Sequence, residues 1–287
     1  MTDKYALFGP GGNAEEFYAA GYKSTWQAPA WLKAKGLDAY EYQAGNGVVG
    51  KRETFCKIGE EAKKNGIALS FHAPYFISLS GEDMEKRLKS LSYIEQSLDA
   101  AEAMGADLIV IHTGSAGKIS REKAMDLASD TIYKAVEAFG DRGISLGLET
   151  MGKQNQLGTP EEVVRLCKID PILRPVVDFG HLYARSIGEQ FTQKDHFRAL
   201  FDLIGEGLGD EAARTLHCHF SMIQFTGAGE KKHLTFEQTE YGPRFEPLME
   251  VIAEEGLTPR IICESAGTMA ADALAMKTYY QSRLSAH

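Results

Sequence analysis

Short runs rich in β-branched and aromatic residues recur along the chain. Each is separated from the next by a longer stretch whose apolar residues fall at helical spacing. The strand-like runs are Tyr5–Gly9, Ala39–Gln43, Ala68–His72, Leu108–His112, Ser145–Glu149, Pro175–Asp178, Thr215–Phe220 and Arg260–Glu264. Helical periodicity marks Pro29–Lys35, Lys51–Asn65, Met84–Met104, Arg121–Phe139, Pro160–Cys167, Phe197–Leu203, Gly242–Glu255 and Met269–Ser285. Local chemistry supports several boundaries. Thr159-Pro160-Glu161-Glu162 reads as an N-cap, a proline at the first helical position and acids at the positive end of the helix dipole. Ser120 is a second N-cap, while Gly66, Gly105, Gly143 and Gly256 each stand between a helix and the next strand.

Strands alternating with helices imply parallel pairing through crossovers, and eight such units favour closure. The expectation is an α/β chain forming a single (β/α)8 TIM barrel domain over residues 1–287. Two irregular segments, Arg185–Glu211 and Ser221–Tyr241, follow the sixth and seventh strands and belong on the face where the strands end. The first strand-to-helix turn, Gly9-Pro10-Gly11-Gly12, lacks G-x-G-x-x-G, so a dinucleotide site is not indicated.

Composition narrows the class. A hydrophobic fraction of 44% and a charged fraction of 25% belong to a globular protein with a sizeable core. No run approaches the roughly eighteen apolar residues of a membrane span, and Met1-Thr2-Asp3-Lys4 does not open a secretory signal. A cytoplasmic monomer is therefore expected. Cys56, Cys167, Cys218 and Cys263 form no C-x-x-C pair, so neither a thiolate zinc site nor a disulfide framework is indicated. A net charge of −9 argues against a non-specific coat for nucleic acid, but a local metal-rich cleft is compatible with it.

The strand ends carry the chemistry. His72, His112, Glu149, Asp178, His219 and Glu264 close or nearly close the third to eighth strands. In a parallel barrel these ends share one face, and imidazole with carboxylate is a ligand mix for zinc, manganese or iron. His181, three residues after Asp178, and His233, after the seventh strand, fit the same mouth. So many ligands imply a cluster with a shared carboxylate, its metals roughly 3.5–4 Å apart. Singly, a histidine at a strand end is more often a hydrogen-bonded structural residue, and Glu149 or Asp178 reads equally as a helix cap or a salt-bridge partner; the joint placement favours metal. His217 lies one layer deeper and reads as structural, His196 and His287 need no function, and Trp26 and Trp31 read as packing. Tyr75 is a candidate rim aromatic for a base or sugar.

These motifs resemble those of the endonuclease IV family of apurinic/apyrimidinic endonucleases. The resemblance rests on Ser70-Phe71-His72-Ala73-Pro74-Tyr75, Ile111-His112-Thr113-Gly114-Ser115, Leu148-Glu149-Thr150, Asp178-Phe179-Gly180-His181 and Cys263-Glu264-Ser265. It implies a TIM barrel with up to three zinc ions, cutting DNA 5′ to abasic sites in base-excision repair. Carried across, His72 and His112 hold one ion, with Glu149 bridging to a second that Asp178, His219 and Glu264 complete. His181 and His233 hold the third, and Glu149 or Glu264 orients the nucleophile.

Three departures stand out. Lys231-Lys232-His233 replaces the family's Asp-x-His, with Glu230 one residue too early. That leaves a weak third site, no third site, or one rebuilt with Glu230. His219-Phe220-Ser221-Met222 replaces His-Leu-Asn-Asp, and the second-strand loop lacks the arginine that the family inserts into DNA. Two other functions remain open. A sugar isomerase or epimerase would use Glu149, Asp178, His219 and Glu264 around one divalent ion, manganese or similar. A non-catalytic barrel would bind DNA or a partner without turnover.

Overall fold

The structure, a computed structural model, describes residues 5–285; Met1–Lys4, Ala286 and His287 lie outside the described residues. The described residues hold ten strands: β1 Leu7–Pro10, β2 Ala39–Gln43, β3 Ala68–His72, β4 Leu108–His112, β5 Ser145–Glu149, β6 Leu173–Asp178, β7 His217–Phe220, β8 Met222–Thr226, β9 Gly229–Leu234 and β10 Arg260–Cys263. Eight of them form one parallel sheet in the order β1-β10-β7-β6-β5-β4-β3-β2. The seam between β1 and β2 is closed by Asp38 N–H donating to the Phe8 carbonyl at 2.8 Å and Gly12 N–H donating to the Glu41 carbonyl at 2.9 Å. Gly9 makes that approach feasible, since a Cβ there would lie 1.8 Å from the Ala39 carbonyl oxygen. This is the (β/α)8 barrel the hydrophobic pattern predicts.

Alternation along each strand sorts the core into two parts. Ile109, Ile111, Leu146, Leu148, Val177, Cys218, Ile261 and Cys263 join the large cluster between sheet and helices. Burying each large aliphatic is worth about 1.5–3 kcal/mol. The residues between them point into the barrel, where Leu108, Val110 and Val176 form a small apolar layer. Above that layer polar side chains take over, and this polar upper half is where the chemistry lies. The two strand cysteines face outward, and burial pushes the Cys263 thiol up to about 12, so both are inert packing groups.

Long helices follow the predicted spans closely: Met84–Met104, Arg121–Phe139 and Pro160–Cys167 coincide with them. Thr159 and Glu162 form a complete capping box, and Gly66, Gly105, Gly143 and Gly256 all adopt left-handed backbone at helix ends.

Two segments read as irregular are ordered. Arg185–Glu211 holds the whole of the helix Lys194–Leu208, which extends the expected Phe197–Leu203 at both ends and runs through Gly205 and Gly207. Gly207 is used for close packing, because a Cβ there would lie 2.4 Å from Val164 Cγ1. Ser221–Tyr241 contains the antiparallel hairpin β8–β9. The sixth and seventh strands also differ at their starts, β6 beginning at Leu173 rather than Pro175 and β7 at His217 rather than Thr215. Among the described residues no helix is long and apolar enough to cross a membrane.

Candidate metal centre

Parallel register delivers the predicted residues to one end. His112 pairs with Glu149 across β4–β5, and Asp178 with His219 across β6–β7. Glu149 sits at the centre, fully buried. Its Oε2 lies 3.5 Å from His72 Nε2 and 3.2 Å from His112 Nε2. Its Oε1 lies 3.0 Å from His219 Nδ1 and 3.6 Å from His181 Nδ1. Glu264 follows β10, its Oε2 3.7 Å from His219 Nδ1.

The segment Asp178-Phe179-Gly180-His181 works as a helix start. Asp178 is the N-cap of Phe179–Arg185, and its Oδ1 accepts the His181 backbone N–H at 2.8 Å. One carboxylate oxygen is thus committed to the helix, and Oδ2 is left facing the cluster.

Backbone acceptors orient the rings. His72 Nδ1–H donates to the Ala73 carbonyl at 2.8 Å, and His181 Nδ1–H to the Thr150 carbonyl at 3.0 Å. Both therefore present Nε2 to the cleft. His181 Nε2 lies 3.5 Å from Glu230 Oε2, and the His181 and His233 ring centroids are 5.7 Å apart.

The hairpin explains how Glu230 reaches that place. Residues 230 and 233 are an odd number apart, so a regular strand would send their side chains to opposite faces. The register instead jumps from Gln224↔Lys232 to Phe225↔Glu230, leaving Lys231 as an extra, unpaired residue. This β-bulge restores Glu230 and His233 to one face. Gly152 opens the space beside them, since a Cβ there would lie 2.7 Å from Glu230 Cβ and 3.2 Å from His181 Cα. His181, Glu230 and His233 are thereby brought together as a group that could hold an ion.

Five ligand-capable groups occur among the described residues: His72, His112 and Glu149; Glu149, Asp178, His219 and Glu264; His181, Glu230 and His233; and two that share His219, namely His72, His219 and Glu264, and Glu41, His217 and His219. Within each group one atom per residue lies within 4.8 Å of the others. Burial alone would raise the Glu149 carboxyl, but the imidazoles of His112, His219 and His72 close beside it hold it well below the usual carboxylate range. Burial likewise disfavours charge on His72 and His181. Glu149 beside His72, and Asp178 with Glu149 beside His181, outweigh that and raise each to about 9.

Two oxygens in this cage are unsatisfied. Glu149 Oε2 and Asp178 Oδ2 are buried without a hydrogen-bond partner among the described residues. Buried, orphaned carboxylate oxygens aimed at oriented imidazole nitrogens suit a divalent cation taking mixed N and O donors, such as zinc, manganese or iron.

The cleft above has a volume of about 440 Å³ and is lined among others by Gln43, Tyr75, Met151, Lys153 and Gln156. Tyr75 is on the rim, 57% exposed, its hydroxyl donating to Asn46 Oδ1 at 3.1 Å. Sequence reasoning missed Lys153, Gln43 and Glu41. Lys153 is carried by a loop whose carbonyls, from Met151 to Gln156, accept hydrogen bonds from Arg185 and Arg121. Glu41 lies beneath the cluster, and strand parity was the signal that could have found it. Ala39, Glu41 and Gln43 alternate with the two tyrosines of β2, and Gln43 ends that strand.

Comparison with known proteins agrees with this architecture. Residues 29–279 match the model of the xylose isomerase-like TIM barrel family. An uncharacterized protein of Methanocaldococcus jannaschii is 29% identical over 86% of this chain and 89% of its own length. A probable endonuclease 4 of Acholeplasma laidlawii is 28% identical over 70% of this chain and 69% of its own length. Among solved structures, endonuclease IV from Thermus thermophilus superposes with a TM-score of 0.68 at 20% identity, covering 98% of this chain and 100% of that one. A D-tagatose 3-epimerase-like protein gives 0.67 at 19% identity, covering 87% and 90%. At such identities both likenesses speak to the fold alone. The length of the family match, together with the ring of ligand-capable side chains at the strand ends, places this chain in the xylose isomerase-like TIM barrel family.

Proposed function

We propose that this chain is a metal-dependent phosphodiesterase that cleaves DNA 5′ to abasic sites, a repair endonuclease using two to three zinc ions. One observation carries the reading: His72, His112, His181, Glu230 and His233 line the same cleft as Glu149 and Glu264, with Asp178 and His219 buried against that pair. A single-ion site would leave the first five without work. His72, His112 and Glu149 would hold one ion, Glu149 with Asp178, His219 and Glu264 a second, and His181, Glu230 and His233 a third.

Bound divalent ions would supply Lewis acidity for a phosphoryl oxygen and a water nucleophile active near neutral pH. The chain's own residues do the rest. Glu149, buried and fixed between the groups, sets their spacing. Glu264 Oε2 is the carboxylate placed to take a proton from an attacking water, because its side chain keeps access to the cleft. Lys153 offers an ammonium to the phosphate, and Tyr75 offers a face for an unstacked base or sugar.

A second reading rests on a separate observation. Glu149, Asp178, His219 and Glu264 alone form a complete four-residue group, and a cleft of about 440 Å³ takes a single sugar. In that case the chain is an isomerase or epimerase with one manganese-like ion, the two glutamates moving the proton. The test incubates metal-replete protein in parallel with a duplex bearing one abasic site and with a ketohexose. Incision 5′ to the lesion with unchanged sugar is the expected result. Intact duplex with epimerised sugar would transfer the assignment, and inertness toward both would leave a binding barrel.

A further inference from the structure

Beneath the cleft, Glu41 occupies the barrel interior with no exposure. Its Oε2 accepts hydrogen bonds from Ser70 Oγ and His217 Nε2, both at 2.9 Å. Its Oε1 accepts one from Gln43 Nε2 at 3.2 Å and lies 3.0 Å from His219 Nε2, an ion-pair contact that departs from hydrogen-bond geometry. Gln43 Nε2 also donates to Glu264 Oε1 at 3.2 Å. One carboxylate therefore touches His219 on the side away from the cleft and reaches Glu264 through a single amide.

His219 differs from the other imidazoles of the cleft. His72 and His181 are held through Nδ1 by backbone carbonyls. His219 turns Nδ1 toward Glu149 and Glu264, and a carboxylate faces its Nε2. A ring that ligates through Nδ1 must keep its proton on Nε2, and an acceptor at Nε2 fixes that tautomer and the ring plane.

We propose that Glu41 is a positioning residue for the group Glu149, Asp178, His219 and Glu264, fixing His219 directly and Glu264 through Gln43. Glu41, His217 and His219 stand close enough to hold an ion themselves. Both Glu41 oxygens, however, are already engaged by Ser70, His217, Gln43 and His219 beneath the cleft, and Glu41 is given the support of ligands rather than the role of one. Ser70 and His217 hold it in turn, which gives His217 its role one layer below the cleft. The direct partners of Glu41 and Gln43 within the cluster, His219 and Glu264, both belong to that one group, so the effect is local to one ion.

The role rests on the metal-centre reading above and deepens it. The experiment compares zinc stoichiometry and per-site affinity, by chelator competition, in the wild-type protein and the Glu41→Gln and Gln43→Ala variants. Imidazole ¹⁵N spectra follow the His219 tautomer. Removing a second-layer partner of this kind weakens metal binding by about 10- to 100-fold. The expected result is that weakening at one site in Glu41→Gln, a smaller loss in Gln43→Ala, and unchanged affinity at the remaining sites. Mixed His219 tautomers should appear in Glu41→Gln alone. Wild-type protein that binds no zinc would overturn the metal-centre reading and the proposal with it. Wild-type binding with unchanged affinities in both variants would overturn the positioning role alone. If Glu41→Gln does not fold, Gln43→Ala decides between the same two results.

Discussion

Replacing Gly152 by alanine tests whether the bulged hairpin builds a third ligand group. The glycine backbone is not in the left-handed region, so alanine is conformationally allowed and acts through contact. The new Cβ would stand 2.7 Å from Glu230 Cβ and 3.0 Å from Glu230 Oε2, where ordinary contact begins at 3.4 Å. On the opposite side it meets the His181 backbone at 3.2 Å, which is anchored by the Asp178 cap and cannot yield as easily. Glu230 and the hairpin must retreat. A shift from 2.7 to 3.4 Å far exceeds the tolerance of about 0.2 Å on metal–ligand distances.

Overpacking of this kind costs about 1–3 kcal/mol, which converts to a roughly 5- to 150-fold weaker third site. The three atoms nearest the new Cβ belong to Glu230 and His181, so the other two groups should keep their affinities. Isothermal titration of metal-free Gly152→Ala with zinc measures this, with thermal melting as a check on folding. A variant that folds normally and binds every ion as tightly as wild type would refute the role given to Glu230 and the bulge.

Other outcomes follow from the same geometry. Glu149→Gln should lower incision roughly 10²–10³-fold and weaken binding at both groups that share it; full cleavage by the variant, followed by gel assay, would remove its bridging role. In metal-free protein, His72 and His181 have folded-state pKa values raised to about 9 from 6.5. That contribution to stability is complete below pH 6.5 and is lost as pH rises through 9. Glu149 is depressed, so its contribution is lost as pH falls through the acid range below 4.5. Chelated protein should therefore melt lower at about pH 9 than at about pH 6, whereas zinc, which replaces those protons, should bind more tightly as pH rises; melting curves that are flat with pH would contradict the cage electrostatics. Tyr75→Ala should raise KM for an abasic duplex with kcat little changed, because stacking is worth about 1–3 kcal/mol per base; a fall in kcat alone would place the ring elsewhere in the reaction.

The barrel was legible because short β-rich runs and longer stretches of helical periodicity succeed one another eight times along the chain. Ile109, Ile111, Leu146 and Leu148 announce their strands, and His112 and Glu149 mark where those strands end. Helix limits at Met84–Met104 and Pro160–Cys167 follow from caps and a left-handed glycine that act locally. What escaped notice depends on contacts distant in sequence. Gly207 looks like a loop residue until Val164 is seen to press against the helix. Lys231 looks like a lost aspartate until the hairpin register shows it bulged and Glu230 swung into its place. Strand parity turns Glu41 into the barrel, but its task stays hidden in the sequence because its partners Ser70 and His217 are 29 and 176 residues away.

The central claim is a cluster rather than a single ion. It is tested most directly by anomalous diffraction from crystals of the zinc-loaded protein, counting ions and naming their ligands. The expected result is an ion on each of the three groups, with Glu149 shared between two and His181, Glu230 and His233 around the third. One ion held by Glu149, Asp178, His219 and Glu264, with His72, His112, His181 and His233 bound to nothing, would contradict it.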